Sequence, residues 1–323
     1  MAQDLNYFGG LLDQMANERV DINRMFNTND QNPNVQTSTF YKLKNIEIGD
    51  DNIGGCGSVA QECLETMSAT VTADTPLAKN LRIPACFNGI SGVWEPQIND
   101  ATLYAVSTAM ADSKIIKAIE KLKTQAVDKT GLLIEPSILK TVGQIVETLL
   151  VNGVEDPRDI VLFMTPQALQ KLSFEIINVS TNGYTQATGT SLRALGFDSI
   201  EQYIIDTFGI GDVVRLEGKL MNNGKVRSDN NQQDYIDVIG LSKDDALYKI
   251  YCETPTQLVF QPLGSDPTAI KPYYRVVTGA LVGANLFNTS ALCYGKGMTP
   301  VFEAHNENEH AHPNTRKVNK QDK

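Results

Sequence analysis

Histidine is the first shortage. The chain of 323 residues holds three, His305, His310 and His312, all close to the C-terminus in the stretch HNENEHAH. Ahead of them no imidazole is present to serve as a general base, so neither a Ser-His-Asp nor a Cys-His arrangement can be built in the body of the chain. A histidine-based metal centre fails for the same reason, and the stretch itself reads as a solvated polar end rather than a metal site. Cysteine is sparse and unpaired: Cys56, Cys63, Cys86, Cys252 and Cys293 are odd in number, scattered, and form no CxxC. Buried free thiols in a reducing compartment are the expectation, with a disulfide between chains through the glycine-flanked Cys56 as the alternative. Positive charge is in deficit, 28 Lys and Arg against 38 Asp and Glu, a net charge of -10. That argues against a basic face for gripping nucleic acid, and any association must be driven by shape and apolar burial.

Long apolar runs are also missing. The longest weakly polar stretch, Val276 to Phe287, falls well short of the ~20 residues that span a bilayer. MAQDLNYFGGLLDQ has neither a basic nor a long apolar region, so a protein made and kept soluble in a cytoplasm is expected. No G-x-x-x-x-G-K-[ST] string occurs. GCGSVA, residues 55–60, fits G-x-G-x-x-A, with Asp74 about where a ribose-binding acid would stand. However, GDDNIG precedes it instead of an apolar strand, and the helical pattern from Val59 to Met67 is too short for a crossover. It reads as a glycine-rich loop tip. The acid pairs within 49–51 and 243–245 lie in expected turns, where carboxylates are solvated; a glycosidase pair, whose members need not be close in the chain, is left open. No catalytic, cofactor-binding or metal-binding residue is assigned, and the chain is not read as an enzyme.

What is present is a folded body, since 41% of residues are hydrophobic. Residues 1–34 are polar, with Tyr7, Leu11, Met15 and Ile22 roughly on one helical face, too little to fold alone and suited to an arm that borrows a partner's surface. From 35 to 99 short extended pieces alternate with loops: FYKLKNIEI, then GDDNIGGCG as a flexible tip, then SATVTAD, LRIP and GISGVWEP with the single tryptophan, Trp94. From Asp100, a candidate cap, to Val127 the pattern is helical, with Leu103, Val106, Met110, Ile115, Ile119 and Leu122 in a stripe; at 1.5 Å per residue the helix runs about 40 Å. Ser137 caps a second helix, in which Ile138, Val142, Ile145, Val146, Leu149 and Leu150 are spaced for one face and Gly153 marks the end. Ile160 to Met164 is continuously apolar, as in a strand buried on both faces. Thr165 then caps a helix whose first position is Pro166, where the missing N–H is harmless; this turn carries no nucleophile, base or phosphate-cradling glycine. SIEQYIIDTFGIGDVVRLEGKL gives a short helix and a strand, NNGKVRSDNNQQD an exposed loop. YIDVIGL, ALYKIYC, TQLVF, YYRVVTGALVGANLF and SALCY are further strands. From Glu303 onward the chain is charged and without apolar period.

In this order the pieces resemble the major capsid proteins of tailed bacteriophages, which share the Hong-Kong-97-type fold. The likeness is carried by the polar arm and glycine-tipped section, the long helix at 100–127, DIVLFMTPQALQKL, SIEQYIIDTFGIGDVVRLEGKL, and the closing strands YIDVIGLSKDDALYKIYCETPTQLVFQPLG and YYRVVTGALVGANLFNTSALCY. It covers most of residues 35–297. The resemblance implies an α+β subunit with an N-terminal arm (1–34), an extended β loop (35–99), a spine helix (100–127) that forms a peripheral domain with closing strands 254–275, an axial domain (128–253 and 276–297) and a C-terminal tail (298–323). It implies hexamers and pentamers tiling an icosahedral shell around double-stranded DNA, held without specific binding and without a membrane. Scaffold, portal and decoration or minor capsid proteins would be partners, and assembly would take place in a bacterial host cytoplasm before the protein resides in the virion. Some members join subunits through a lysine and an asparagine; Lys42 and Lys44 lie in the corresponding section, but no pair can be placed. Expected assembly contacts are Tyr7, Leu11, Met15, Tyr41, Leu43, Ile53, Gly54, Gly55 and Trp94. Expected core positions are Leu103, Met110, Ile119, Val142, Ile145 and Leu149. A cellular nanocompartment shell, a minor virion protein and, more distantly, a nucleotide-binding enzyme are the competing readings.

Overall fold

A computed structural model describes residues 2–19, 21–28, 34–43, 66–90, 92–127, 137–180, 199–228, 230–262 and 271–297. Helix and sheet are mixed in an α+β arrangement. The helices are α1 (Ala2–Arg19), α2 (Ile22–Met25), α3 (Asp100–Gln125), α4 (Ile138–Val151), α5 (Pro166–Ser180), α6 (Ile200–Phe208) and α7 (Gly218–Met221). The strands are β1 (Thr37–Leu43), β2 (Thr66–Thr72), β3 (Thr75–Asn88), β4 (Val93–Pro96), β5 (Ile160–Met164), β6 (Asp212–Arg215), β7 (Ile236–Ser242), β8 (Ala246–Gln261), β9 (Tyr273–Leu286) and β10 (Leu292–Lys296). They make a ribbon β1-β2, a mixed sheet β10-β7-β5-β6 and a sheet β4-β3-β9-β8. Only β5 and β6 run parallel among these ladders; the pairs in the other sheet are antiparallel.

The mixed sheet is buried on both faces, and the period of two shows why. Val161 and Phe163 of β5 enter one core with α3 and the long strands, whereas Ile160, Leu162 and Met164 enter another with α4, α5 and α6. A strand between two apolar layers must be apolar at every position. In α4, Ile138, Val142, Ile145 and Leu149 are wholly buried, each contributing roughly 1.5–3 kcal/mol of burial. Their approach to the sheet is close at Gly240, where an added Cβ would stand 2.3 Å from Cγ2 of Ile145. Two groups cap α4: Lys140 N–H donates to Oγ of Ser137 (3.3 Å), and the carboxylate of Glu175 on α5 accepts from the N–H groups of Ile138 and Leu139, both at 3.0 Å. The second anchor holds a negative charge at the helix N-terminus, where the macrodipole favours it. Thr165 caps α5, its Oγ1 accepting from Ala168 N–H at 3.1 Å.

Along α3 the buried stripe includes Val106, Met110, Ile115, Ala118, Ile119 and Leu122, with Leu103 partly buried against it. Its cap is Asn99, whose Oδ1 accepts from Thr102 N–H at 2.8 Å, not Asp100, which falls in the first turn. ALYKIYC and TQLVF, expected as two strands, are one strand, β8. Its pairing with β9 slips between Tyr251 and Thr254 and again between Thr254 and Gln257, and Cys252 takes a positive φ of 52°. Such a bulge bends a strand without ending it; Oγ1 of Thr254 fills the gap, bonded to both O and N–H of Gly279 at 3.1 and 3.2 Å. Continuous strands therefore run through the divisions expected at 253/254 and 275/276.

The N-terminal segment lies on its own chain. Leu12 and Ala16 of α1, with Met25 and Phe26 after it, are buried in the same core as α3. Gly9 permits the contact, since a Cβ there would meet the Thr256 carbonyl oxygen at 2.1 Å. Asp13 accepts from Thr256 N–H at 2.9 Å. Arg24 forks onto Asp212 at the start of β6, one arm at 2.7 Å.

Candidate assembly surface

The ribbon β1-β2 projects an unequal pair of faces. Phe40 and Val71 pack with Leu247, and Ala69 and Phe287 flank them. Facing solvent on the other side are Thr37, Thr39, Tyr41 and Leu43 opposite Thr72, Thr70, Ser68 and Thr66. Tyr41 is 65% and Leu43 62% exposed, so two large apolar groups stand on a face of small hydroxyls. Among the described residues each ribbon strand pairs on one side only, and an open strand edge is a template for another chain. The ribbon is held rather than loose. Nζ of Lys42 donates to the buried Asp245 at 3.2 Å, Asn285 Nδ2 to Thr70 O at 2.7 Å, and Gln36 Nε2 to Ala73 O at 3.0 Å. Asp245 corrects the expectation of solvated acids at 243–245: Asp244 is exposed, whereas Asp245 is covered and paired. At the ribbon's foot, the hydrogen bond from Lys121 holds the Asp74 carboxyl below its ordinary range. Asp159 is moved the other way, first by burial and then by the negative charges of Asp244 and Asp156.

A second apolar projection is the β3-β4 turn. Phe87 and Trp94 meet with ring centroids 5.4 Å apart; Trp94 is half-buried and Phe87 exposed, and Ile90 at the tip is fully exposed. Asn88 shapes the tip, its Oδ1 accepting from Ile90 N–H at 3.0 Å and its carbonyl from Gly92 N–H at 2.8 Å, with Gly92 at φ 68°. On α1, Tyr7 is exposed and Leu11 and Met15 are half-buried. Ile53, Gly54 and Gly55 lie outside the described residues, as do Cys56, Cys63, the whole 55–60 motif, the acids at 49–51 and the three histidines. Reading the sequence did not pick out Phe87 or Ile90; the hairpin that carries them shows only as the weak turn signal Asn88-Gly89.

Two thiols depart from expectation: Cys86 and Cys252 are exposed, and only Cys293 of the described cysteines is buried. Among the described residues no three His, Cys, Asp or Glu side chains gather where a metal ion could be held. No described helix is long and apolar enough to cross a membrane.

No protein-family model matches the chain, and no curated protein matches it. Solved structures do resemble it, phage capsids among them. One from Mycobacterium phage Che8 is 11% identical, with 84% of this chain and 90% of that one covered at a TM-score of 0.49. The capsid of cyanophage P-SCSP1u is 11% identical, covering 84% and 85% at 0.42. The virus-like particle from Pyrococcus furiosus is 11% identical, covering 90% and 99% at 0.46.

Proposed function

We propose that this chain is a coat subunit that assembles with copies of itself, as hexamers and pentamers, into a closed shell around double-stranded viral DNA. The supporting observation is the β1-β2 ribbon, an element anchored at its foot but carrying open edges and the solvent-facing Tyr41 and Leu43. Phe40 and Val71 on its inner face are buried by its own chain, but a lone subunit gains nothing from the outward Tyr41 and Leu43. A neighbour that covers it gains strand pairing and apolar burial together. The order of elements in the sequence, arm, extended section, long helix, mixed sheet and closing strands, supports the same reading. Acidity fits it as well: at a net charge of -10 the interior surface holds enclosed DNA without trapping it, because few counterions are released. Assembly in a host cytoplasm, with scaffold, portal and decorating proteins as partners, belongs to this reading.

Electron microscopy of particles purified from expressing cells tests it, with their contents extracted. Closed icosahedral shells are the expected result, and nuclease-protected DNA in particles from infected cells assigns the virion role. Shells filled with a specific protein cargo identify a cellular compartment instead, and absence of shells rejects the proposal.

A further inference from the structure

One cleft in this acidic chain gathers positive charge. Lys123 comes from the last turn of α3, Lys225 from the loop after α7 and Lys296 from the end of β10, and all three line a cavity of about 280 Å3 with Asn231, Tyr235 and Tyr294. Acidic compensation is thin. Asp234 lies 4.0 Å from Lys296 with its own side chain largely in water, and Glu120 is engaged by Asn223 at 2.7 Å and Lys117 at 3.3 Å. Lys123 is half-buried, and its Nζ donates to Met221 O at 3.0 Å. Burial holds its pKa below the ordinary lysine range; the nearby Glu120 carboxylate opposes that shift, and the charges of Lys296 and Lys225 add to it. Three ammonium groups brought together from distant parts of the chain repel one another, a cost that an anion between them would offset.

The cleft is also preorganised. Asn222 clamps the loop to β7, its Oδ1 accepting from Ile236 N–H and its Nδ2 donating to Ile236 O, each at 2.9 Å. Asn231 closes the loop on itself, Nδ2 to Val226 O at 3.0 Å and Oδ1 from Ser228 N–H at 2.8 Å. The loop that carries Lys225 is thus held by hydrogen bonds that a ligand does not have to form. Lysine binds phosphate as a point charge, and several ammonium groups converging on one oxyanion give charge-assisted hydrogen bonds in place of mutual repulsion. The size suits a small group rather than an extended cofactor.

We propose that this cleft binds a phosphoryl oxyanion, either free phosphate or a phosphodiester of nucleic acid. The site stands independently of the shell reading. Its test is thermal unfolding and calorimetric titration of the full chain with sodium phosphate, against sodium chloride at equal ionic strength, with sedimentation recording the assembly state separately. Phosphate should raise the melting temperature and bind saturably, and chloride should do neither. Lys225→Gln with Lys296→Gln should weaken phosphate binding about tenfold per lysine removed. That double variant should melt no lower than the parent without phosphate, because repulsion has been relieved. Lys140→Gln, remote from the cleft, should keep the full response. A short DNA duplex that displaces phosphate through the same two lysines identifies the phosphodiester as the ligand; a duplex without effect identifies the free anion. Equal stabilisation by chloride, or an undiminished phosphate response in the double variant, overturns the proposal.

Discussion

Asp237 stands wholly buried at the start of β7, and its charge is met by Arg227 and by Oγ1 of Thr165 at 3.3 Å. Arg227 also lies over the ring of Tyr235, 4.5 Å from its centroid. Taking one partner from such a pair strands the other charge in a low-dielectric interior, which costs roughly 3–5 kcal/mol. Arg227→Met should therefore lower urea stability by about that amount, and adding Asp237→Asn should recover much of it; an unchanged midpoint in the single variant would show the pair to be idle. Gly240→Val, which drives a side chain into Ile145, Leu162 and Leu149, should cost about 1–3 kcal/mol by overpacking, read from the same unfolding curves. Neither site was legible in the sequence. Asp237 and Gly240 both sit within an apolar run, but Arg227 and Ile145 lie ten and ninety-five residues away from them, and only the fold brings them together.

Elements with a strong period were legible. The stripe of α4 and the unbroken apolar β5 follow from residue spacing, because each buries large side chains at regular intervals. The N-terminal segment was read less well for a physical reason. Gly9, Leu12 and Ala16 make its contact, and small residues leave little apolar signal, so the face through Tyr7, Leu11 and Met15 stood out instead. The consequence is that removing the arm harms the fold itself. Phe26 stacks on Tyr248 and meets Phe163 edge-on, both centroid distances 5.9 Å, and losing such a ring costs about 3–5 kcal/mol. A chain lacking residues 1–28 should lose near-ultraviolet circular dichroism, whereas one lacking 1–19 should keep it with a lower melting temperature; equal behaviour would mean that α2 adds nothing. Acid should loosen the same segment. Burial alone would raise the Asp212 carboxyl, but the hydrogen bond and charge of Arg24 outweigh it and hold the pKa below the ordinary value. The resulting stabilisation is complete above the unfolded pKa, about 3.9, and fades as pH falls through the lower folded value. Pepsin should cut near Phe26 faster as pH drops below about 4, and Arg24→Gln should flatten that dependence. A rate independent of pH in the parent would remove the pair from the account.

At the scale of the whole molecule, the chain is a folded body whose ribbon and hairpin tip carry exposed apolar side chains. The order of its elements could be read from the sequence; Tyr41 and Leu43, expected there as assembly contacts, are exposed on the ribbon. The hairpin tip at Ile90 could not be read, since a single exposed apolar residue in a turn has no periodic signature. Because these projections are anchored but uncovered, charges placed on them should leave the fold nearly untouched, within about 0.5 kcal/mol, while preventing a neighbour from seating. Sedimentation velocity of the purified chain beside the double variant Tyr41→Asp, Leu43→Asp tests this most directly. The parent, a 35.4 kDa subunit, should yield particles on the order of 2 MDa or more, as about sixty copies or more in a closed shell require, and the variant should remain small with unchanged circular dichroism. A parent that stays monomeric with and without a scaffold protein, or a variant that assembles as the parent does, would contradict the account.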